Sequence, residues 1–258
     1  MTLITKNFSA GYDGKKFIES INFSLEKAEW IGIIGANGSG KSTLLKGISR
    51  IIDSYSGNVY LYGQDIHLSS SKEIAKKVSV LPQQQKANLP LTVYELVCLG
   101  RSPHKKWWEL ELNENDYMTV ERAIDLADMR TLKNEPIQSL SGGQRQRAFL
   151  ALALAQDAKT LLLDEPTTFL DLRYQLQFFD LLKRLNNEQA LSIITVIHDL
   201  NLAARYCDRI AIIKNGELLA IDKPRDVLTQ ELLKKAFQVE TCQIETPIGL
   251  QICTIKSF

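Results

Sequence analysis

Cysteine is scarce in this sequence, and the four that are present are scattered along it: Cys98, Cys207, Cys242 and Cys253. None forms a C-x-x-C pair, and no histidine stands beside them at the spacing of metal ligands. This pattern excludes a disulfide-rich scaffold and a zinc ribbon. We therefore expect four reduced thiols in a cytosolic protein.

Long apolar runs and an excess of either charge are also missing. No stretch approaches the roughly 18 apolar residues of a membrane span, and residues 1–9 lack the charged and then apolar form of a secretory signal. The 31 Lys and Arg residues nearly balance 30 Asp and Glu, which leaves a formal net charge of +1. A general attraction to nucleic acid or anionic lipid is not expected at this charge. We predict a soluble chain that binds no nucleic acid.

What the sequence does contain is the pattern of an α/β fold. Its 258 residues are 45% hydrophobic and 24% charged, an ordinary globular composition. Four short runs are apolar almost throughout, as strands buried on both faces are: 30–34, 160–163, 193–197 and 210–213. Leucine and phenylalanine recur at helical spacing between 172 and 185. Alternating strands and helices predict a mostly parallel sheet covered by helices.

The other segments predict additions to this α/β core. Short strand patterns at 3–5, 21–25 and 59–62 are separated by turn residues, which indicates an antiparallel flank. From 92 to 157 helical patterns replace the strand signal and predict an inserted helical subdomain. The tail alternates weakly around Pro247-Ile248-Gly249 and predicts a small hairpin. The predicted single domain is therefore divided into a core at 1–91 and 158–239, a helical subdomain at 92–157 and a tail at 240–258.

The strongest local motif lies at residues 35–42, which have the sequence G-A-N-G-S-G-K-S and match G-x-x-x-x-G-K-[ST]. A buried strand precedes them and a helical run at 43–51 follows, as a phosphate loop requires. The glycines let backbone N–H groups approach phosphate oxygens, and the helix points its positive end at the anion. Lys41 supplies a cation for the β- and γ-phosphates, and the Ser42 hydroxyl can ligate Mg²⁺. The alternative is a glycine-rich turn without a ligand, which the complete motif disfavours.

A second motif is the apolar strand 161–163 that ends in the acidic pair Asp164-Glu165. Strand ends in open α/β sheets face the ligand crevice. Asp164 is placed to hold Mg²⁺ through water, and Glu165 to polarise an attacking water as general base. The alternative is an exposed acidic turn. The phosphate loop in the same chain favours the functional interpretation.

Residues 140–144, L-S-G-G-Q, separate this chain from kinases, GTPases and helicases, which share the first two motifs. Ser141 and Gln144 have the S-x-x-Q form of a helix capping box. Glycines at 142 and 143, in the first helical turn, are costly for a helix. They indicate a helix N-terminus that lies against something bulky and anionic. A chain with two such helix ends can complete one site from two molecules.

With these motifs the chain resembles the ABC ATPase family, whose signature is L-S-G-G-Q. The resemblance extends over essentially the whole chain, and the motifs follow the family's order. Gln83 matches the Q-loop glutamine, Asp171 the D-loop aspartate and His198 the switch histidine. Tyr12 matches the aromatic residue that stacks on adenine. The fold implied is a P-loop NTPase core with an antiparallel β flank and an inserted helical subdomain.

The resemblance also implies ATP and Mg²⁺ as cofactors and a mechanism shared by two copies packed head to tail. ATP lies between the phosphate loop of one copy and the signature segment of the other. The implied catalytic residues are Glu165, His198, Gln83 and Lys41. Glu165 activates water, and His198 contacts the γ-phosphate. Gln83 reports the bound nucleotide to a transmembrane subunit. The implied metal ligands are Ser42, Gln83 and Asp164. The implied nucleotide contacts are Tyr12, Gly35, Asn37, Gly38, Ser39, Gly40, Lys41, Ser42, Thr43, Ser141, Gly142, Gly143, Gln144 and Asp171.

Local sequence favours one branch of the family's importers. Residues 99–104, L-G-R-S-P-H, resemble the G-R-x-P-H segment of ATPases that serve iron-siderophore, haem and cobalamin importers. Residues 198–203, H-D-L-N-L-A, look like the same branch. The resemblance favours ferric siderophore uptake, with haem or cobalamin as alternatives. The implied partners are a second copy of the chain, transmembrane permease subunits and, indirectly, a solute-binding protein, at the cytoplasmic face of the membrane.

Three other hypotheses find less support. A soluble ABC ATPase acting on DNA or ribosomes has a long coiled coil or two cassettes, and neither pattern occurs in this sequence. A non-hydrolysing regulator would lack Glu165 or His198. A P-loop kinase has no reason to carry L-S-G-G-Q.

Two segments depart from the family pattern or leave a choice open. The D-loop has the sequence T-F-L-D at 168–171, where small residues are commoner, but it keeps its aspartate. Gln84 and Gln85 adjoin Gln83, and the Leu-Pro-Gln context favours Gln83. Trp107-Trp108 either lines a groove that receives the membrane subunit or packs within the helical subdomain.

Overall fold

The computed structural model describes residues 1–257 except 84–89, 107, 110 and 169. The chain divides into two compact units, a first unit of Met1–Ser69 with Ser192–Phe258 and a second unit of Ser70–Leu191. The finer division into core, helical subdomain and tail stays a prediction. Four residues named in the sequence analysis lie outside the described residues: Gln84, Gln85, Trp107 and Phe169.

An antiparallel sheet forms the start of the first unit. Its strands are β1 (Leu3–Tyr12), β2 (Lys15–Leu25), β4 (Ser54–Leu61) and β5 (Gln64–Asp65), in the spatial order β2-β1-β4-β5. Leu3 pairs with Leu25 on one side and Leu61 on the other, so β1 is a central strand. The predicted antiparallel flank is therefore present. Its strands run longer than predicted because β1 has a partner on both sides over most of its length.

Parallel strands form the rest of the first unit's framework. β3 (Trp30–Ile34) pairs in parallel with β8 (Ser192–Val196) and β9 (Arg209–Lys214), and β10 (Glu217–Asp222) continues antiparallel to β9. Every residue of β3 and β8 is buried, as their continuous apolar sequences predicted. The remaining elements are α1 (Lys41–Ile48), α7 (Leu200–Tyr206), α8 (Pro224–Val227), α9 (Gln230–Phe237) and the hairpin β11 (Val239–Thr246) and β12 (Gly249–Ser257).

The second unit contains most of the helices. Its elements are α2 (Ser71–Ala75), β6 (Val78–Leu81), α3 (Val93–Cys98), α4 (Glu114–Leu126), α5 (Gly142–Ala155), β7 (Thr160–Asp164) and α6 (Leu172–Gln189). Among the described residues, α3, α4 and α5 enclose an apolar core of thirteen buried residues between Val93 and Ala155. β6 and β7 pair in parallel. The short strand β6 has no counterpart among the predicted strands.

Helix boundaries follow local chemistry more than apolar spacing. The helix predicted at 43–51 runs over Lys41–Ile48 instead. It ends there because the Ser49 hydroxyl donates to the Leu45 and Lys46 carbonyls and Arg50 adopts φ 56°, which breaks the helical repeat. Among the helices of the described residues, none combines the length and apolar character that a membrane span requires. The α/β fold predicted from the sequence is confirmed.

Candidate nucleotide site

The phosphate loop connects β3 to α1, and its backbone leaves the start of α1 open to an anion. Gly40 stands at the N-cap with φ 105°, a conformation that side chains with a Cβ rarely adopt. A Cβ at Gly40 would also come 2.7 Å from Cγ2 of Ile18. Among the described residues, no side chain caps α1. The N-terminal end of α1 carries the partial positive charge that attracts phosphate oxygens.

Two polar side chains of the loop are buried, Lys41 and Ser39, each 5% exposed. The Lys41 ammonium donates to the carbonyl oxygens of Gly35 and Ala36, at 2.9 Å in each case. The Ser39 hydroxyl has no hydrogen-bond partner within the described part of the chain. An orphaned buried hydroxyl costs about 1–3 kcal/mol, and an acceptor oxygen on a bound phosphate would remove that cost. The loop therefore fits a polyphosphate.

An aromatic pair lies beside the same loop. Tyr12 and Phe17 pack edge to face, with ring centroids 5.7 Å apart and an interplanar angle of 74°. The Phe17 carbonyl oxygen lies 3.1 Å from the position that a Cβ on Gly40 would take. Tyr12 was predicted to stack on adenine, whereas Phe17 was not found from the sequence. The feature that could have revealed Phe17 is an aromatic residue at an otherwise polar strand start. Phe17 is 48% exposed, which is unusual for an aromatic side chain that only fills the core.

In the second unit, the acidic pair stands at the end of β7 and contacts the Q-loop glutamine. The parallel register sets Leu81 of β6 beside Leu163 of β7, so the residues after the two strands are neighbours. Gln83 Nε2 donates to Glu165 Oε2 at 2.6 Å. The Thr168 hydroxyl lies 3.2 Å from the same carboxylate oxygen and 3.2 Å from the Glu165 carbonyl. Thr168 was not predicted for this role, although it is the first residue of the D-loop segment at 168–171. Asp164 is buried.

Glu165 also has an unusual backbone conformation, with φ 48°. A non-glycine residue in the left-handed region costs roughly 1 kcal/mol or more and is found preferentially at functional sites. Here it turns the chain sharply at the strand end, directly after the buried Asp164. The turn separates the two carboxylates in accessibility, because Asp164 is buried and Glu165 is only half-buried.

The signature segment forms the capped start of α5, as its sequence predicted. The Ser141 hydroxyl accepts from Gln144 N at 3.4 Å, and the Gln144 side chain accepts from Ser141 N at 2.9 Å. This capping box leaves Ser141 and Gly142 exposed at the helix N-terminus, with Gly143 buried behind them. The exposed end carries no side chain larger than serine at these positions, so a bulky anion could approach it.

The G-R-S-P-H segment contacts the opposite end of the same helix. A Cβ at Gly100 would come 2.4 Å from the Leu152 carbonyl oxygen, so only glycine allows this approach. The Arg101 guanidinium donates to the Ala155 carbonyl at 2.8 Å, and His104 Nε2 lies 2.8 Å from the Gln156 carbonyl. These carbonyls end α5 and lack helical partners. The segment whose sequence resembles one branch of importers therefore binds the C-terminal end of the signature helix. We call its residues Gly100, Arg101 and His104 the clamp.

A buried ion pair holds the clamp in place. Arg101 Nε donates to Asp116 Oδ1 at 2.8 Å, and both side chains are at most 5% exposed. Burial by itself would raise the pKa of Asp116. Hydrogen bonds from Arg101 and the Asn113 backbone and the charges of Arg101 and Lys105 outweigh burial and hold this pKa below its ordinary value.

Loss of this ion pair is expected to destabilise the chain and to change its acid sensitivity. Because the folded pKa of Asp116 is lowered, its carboxylate stabilises the fold above the unfolded pKa of about 3.9, and this stabilisation is lost as pH falls through the folded pKa. We expect Asp116→Asn to lower the free energy of unfolding at pH 7 by about 3–5 kcal/mol and to flatten its fall below pH 4. Urea unfolding between pH 2 and 7 measures both effects.

Asp125→Asn on the same helix is the matched control. Asp125 also pairs with an arginine, Arg130, but that pair is exposed. Exposed pairs contribute about 0–1 kcal/mol. Equal losses for the two variants would contradict the importance given to the buried pair.

The remaining predicted residues cap helices or follow strands. Asp171 caps α6, with Oδ1 accepting from Tyr174 N at 3.0 Å. His198 follows β8 and is exposed. Its neighbour Asp199 caps α7 by accepting from the backbone N–H groups of Asn201 and Leu202. Of the predicted residues, Tyr12, residues 35–43 and His198 belong to the first unit, whereas Gln83, Asp164, Glu165, residues 141–144 and Asp171 belong to the second.

These features define a P-loop nucleotide-binding protein: an uncapped helix after a glycine loop, a buried lysine and an acidic pair after a parallel strand. A family model described as ABC transporter matches residues 18–168, more than half of the chain. The chain belongs to the ABC transporter family, and it is an ATPase of that family.

Relatives and solved structures agree with this membership. The chain is 44% identical to the iron(3+)-hydroxamate import ATP-binding protein FhuC of Bacillus subtilis, over 95% of this chain and 91% of that protein. It is 35% identical to the ferric enterobactin transport ATP-binding protein FepC of Escherichia coli, over 95% and 90%. An inward-facing ABC transporter described as of the metal-chelate type has a TM-score of 0.85 at 26% identity, over 98% of this chain and 96% of that chain. A dimeric ABC cassette bound to ADP and Pi has a TM-score of 0.71 at 30% identity, over 86% and 99%.

Proposed function

We propose that this chain hydrolyses ATP to power the import of a ferric siderophore. The observation that carries the choice of solute is its 44% identity, over nearly the whole length, to a protein named for iron(3+)-hydroxamate import. Haem and cobalamin import are the alternatives, and a soluble ABC ATPase without a transport role has less support.

The phosphate loop binds the triphosphate of ATP in this proposal. The N–H groups at the start of α1 and the Lys41 ammonium meet the β- and γ-phosphates. The buried Ser39 hydroxyl, orphaned among the described residues, donates to a phosphate oxygen. On nucleotide binding Lys41 exchanges one or both of its bonds to the loop carbonyls of Gly35 and Ala36 for phosphate contacts. The lysine is held near its working position beforehand, so little side-chain entropy is lost on binding.

Glu165 acts as the general base for the attacking water. Its carboxylate is held by Gln83 and Thr168 in this structure. A carboxylate has two oxygens with about four lone-pair directions, so Glu165 can accept a proton from water while Gln83 and Thr168 hold its Oε2. Gln83 reports the state of the site through its bond to the general base. His198 contacts the γ-phosphate from its exposed position after β8.

Mg²⁺ fits the oxygen donors that the chain provides. Ser42, in the first turn of α1, offers a hydroxyl, the buried Asp164 a carboxylate and Gln83 an amide oxygen, and hard cations prefer such ligands. When bound, Mg²⁺ would neutralise part of the negative charge on the phosphate oxygens. Ser42 and Asp164 would hold the ion, and Gln83 would contact it through its amide oxygen.

The working assembly in this proposal is a dimer attached to a membrane permease. Two copies pack head to tail, so the exposed Ser141 and Gly142 of one copy meet the ATP held by the phosphate loop of the other. The structure of a dimeric ABC cassette at 28% identity supports the proposal of a dimer. The dimer binds transmembrane permease subunits at the cytoplasmic face of the membrane, and a solute-binding protein delivers the solute from the other side.

Removal of the aromatic ring of Tyr12 is expected to weaken ATP binding. Stacking of a base on an aromatic side chain is worth about 1–3 kcal/mol, so Tyr12→Ala should raise the Kd for ATP at least about fivefold. Tyr12→Phe keeps the ring and should bind ATP normally. Titration of both variants with ATP and with tripolyphosphate measures the effect. An equal loss of affinity for tripolyphosphate, which has no base, would contradict the stacking role.

Solute uptake in the native host tests the proposed substrate. Strains carrying wild type, Glu165→Gln or the exposed control Glu188→Gln are compared for uptake of a labelled ferric siderophore, haem and cobalamin. Loss of siderophore uptake only in the Glu165→Gln strain supports the proposal. Selective loss of haem or cobalamin uptake would identify one of the alternatives instead. Normal uptake of all three would overturn the placement among metal-chelate importers.

A further inference from the structure

The C-terminal hairpin contacts the helix that follows the switch histidine. Ile252 of β12 is 6% exposed. Its N–H donates to Oδ1 of Asn201 at 2.7 Å, and its carbonyl accepts from Nδ2 of the same side chain at 3.3 Å. The Asn201 amide therefore pairs with Ile252 as the backbone of a neighbouring strand would, because both carry one donor and one acceptor in the same geometry.

Asn201 is also fixed at the start of α7. Its backbone N–H donates to Asp199 Oδ1 at 2.7 Å, as part of the N-cap of this helix. His198 is the residue before Asp199, and the buried strand β8 ends two residues earlier. The short connection that carries His198 is thus fixed by β8 on one side and by the capped helix and its hairpin contact on the other.

We propose that Asn201 is a positioning residue for His198 and that the hairpin is the support against which it acts. This rests on the proposed contact of His198 with the γ-phosphate. If the amide contact with Ile252 is removed, the first turn of α7 loses its anchor on β12, and the connection that carries His198 gains freedom. The imidazole then spends less time in the position that meets the phosphate. The C-terminal tail, for which the sequence predicted no function, thereby helps to position the switch histidine.

The test is a double-mutant cycle with steady-state ATPase kinetics. We expect Asn201→Ala to lower kcat roughly 10-fold, less than the about 10²-fold that a displacement of 1 Å at a catalytic group can cost, while KM for ATP changes less than twofold. Asn201→Asp keeps the acceptor for the Ile252 N–H and loses the donor. Its kcat should therefore lie between the kcat of wild type and that of Asn201→Ala. In a His198→Ala background Asn201→Ala should cause no further loss. Arg205→Ala, an exposed change on the same helix, is the control.

The outcomes separate this proposal from the function it rests on. A normal kcat for Asn201→Ala beside an impaired His198→Ala would overturn the positioning role alone. Independent, multiplying losses in the double variant would do the same, because they would mean that Asn201 acts by another route. A normal kcat for His198→Ala would remove the proposed role of the histidine and this proposal with it. Thermal unfolding of each variant checks that a lower kcat does not result from loss of the folded structure.

A separate observation concerns the two cysteines of the same hairpin. Cys242 and Cys253 are direct partners in the β11–β12 register, and both are exposed. The N–H and carbonyl of Ile252 bond to Asn201 and therefore point away from β11. Gln243 and Ile252 are thus a non-hydrogen-bonded pair of the two strands. Because the two kinds of pair alternate along antiparallel strands, the adjacent cysteine pair is a hydrogen-bonded one. Such pairs have a Cα separation of about 5.5 Å, within the range of disulfides, although their Cβ atoms are further apart than a relaxed bridge prefers.

Both cysteines are free thiols in this structure, as the sequence predicted. We infer that Cys242 and Cys253 form a reversible, easily reduced disulfide when a small disulfide oxidant is supplied. The oxidant is a small disulfide such as oxidised glutathione. The two thiols give up two protons and two electrons, one sulfur–sulfur bond forms, and the oxidised glutathione is reduced to two thiol molecules. Strain from the long Cβ separation makes the bridge more reducible than a structural disulfide.

Mass spectrometry after incubation with oxidised glutathione tests the inference. We expect a loss of two hydrogens in a peptide pair that contains both cysteines, and recovery of both thiols with dithiothreitol. Cys253→Ser should instead yield a mixed disulfide of Cys242 with glutathione. Free Cys242 and Cys253, or mixed disulfides at both in the wild-type chain, would overturn the inference. Alkylation of the denatured chain distinguishes them from Cys98 and Cys207.

Discussion

Glu165→Gln is expected to slow ATP hydrolysis by about 10²–10⁴-fold, the usual contribution of a general base, without weakening ATP binding. The substitution removes the basic carboxylate and keeps its shape. The new amide oxygen can still accept from Gln83 Nε2, which donates to Glu165 at 2.6 Å in the wild-type chain. The Thr168 hydroxyl keeps an acceptor in the Glu165 carbonyl. The local structure should therefore survive while the proton acceptor is lost.

Because the variant binds ATP and cannot use it, the ATP-bound dimer should accumulate. Size-exclusion chromatography with ATP should show a species of twice the 29.1 kDa chain mass. Glu188→Gln, the same chemical change at an exposed position of α6, should remain fully active and should not shift to the dimer. Turnover by Glu165→Gln within a few-fold of wild type would exclude Glu165 as the general base.

Lys41→Ala is expected to lose most of the affinity for ATP. Hydrogen bonds to charged groups contribute about 1.5–3 kcal/mol, which corresponds to a rise in Kd of roughly 10- to 150-fold. The lost ammonium is buried and bonded to the Gly35 and Ala36 carbonyls. Its removal therefore takes away a phosphate contact and also loosens the loop. Isothermal titration with ATP measures the change in Kd.

Lys46→Ala is the control for this substitution. Lys46 lies in the last turn of the same helix, away from the phosphate loop. The substitution makes the same change in net charge and helix propensity. It should leave the Kd within about twofold of wild type, because surface substitutions away from special features usually change free energies by at most about 0.5 kcal/mol. Similar losses for the two variants would show that charge alone, and not the phosphate loop, sets the affinity for ATP.

The clamp on α5 connects the signature helix with the strand that leads to the Q-loop glutamine. The Gln156 side chain donates to the Val78 carbonyl at 2.8 Å and to the Ala75 carbonyl. Its backbone carbonyl lies 2.8 Å from His104 Nε2. The end of α5 and the start of β6 are thus tied through one residue. Gln83 lies two residues beyond β6, so the end of the signature helix and the Q-loop glutamine are attached to the two ends of one strand.

Much of the fold was predictable because its signals are local. The strands β3 and β7 to β9 appear in the sequence as apolar runs, since both faces of such strands are buried. β6 was not predicted, because Ser79 interrupts its short apolar run although that serine is buried. The residues at 99–104 form a 3-10 helix rather than a continuation of α3. Its proline lacks a backbone donor, and the tight turn lets Arg101 and His104 reach α5.

The sequence by itself determined the chemistry of the site: the glycine loop with Lys41, the strand-end acids and the capped signature helix. Each is a contiguous motif whose backbone geometry depends on a few neighbouring residues, so spacing alone reveals it. Only the tertiary structure decided which distant residues meet them. The bond from Gln83 to Glu165 and the pairing of Asn201 with Ile252 join residues brought together by strand register and packing. No local pattern encodes such contacts, because they depend on how whole elements align.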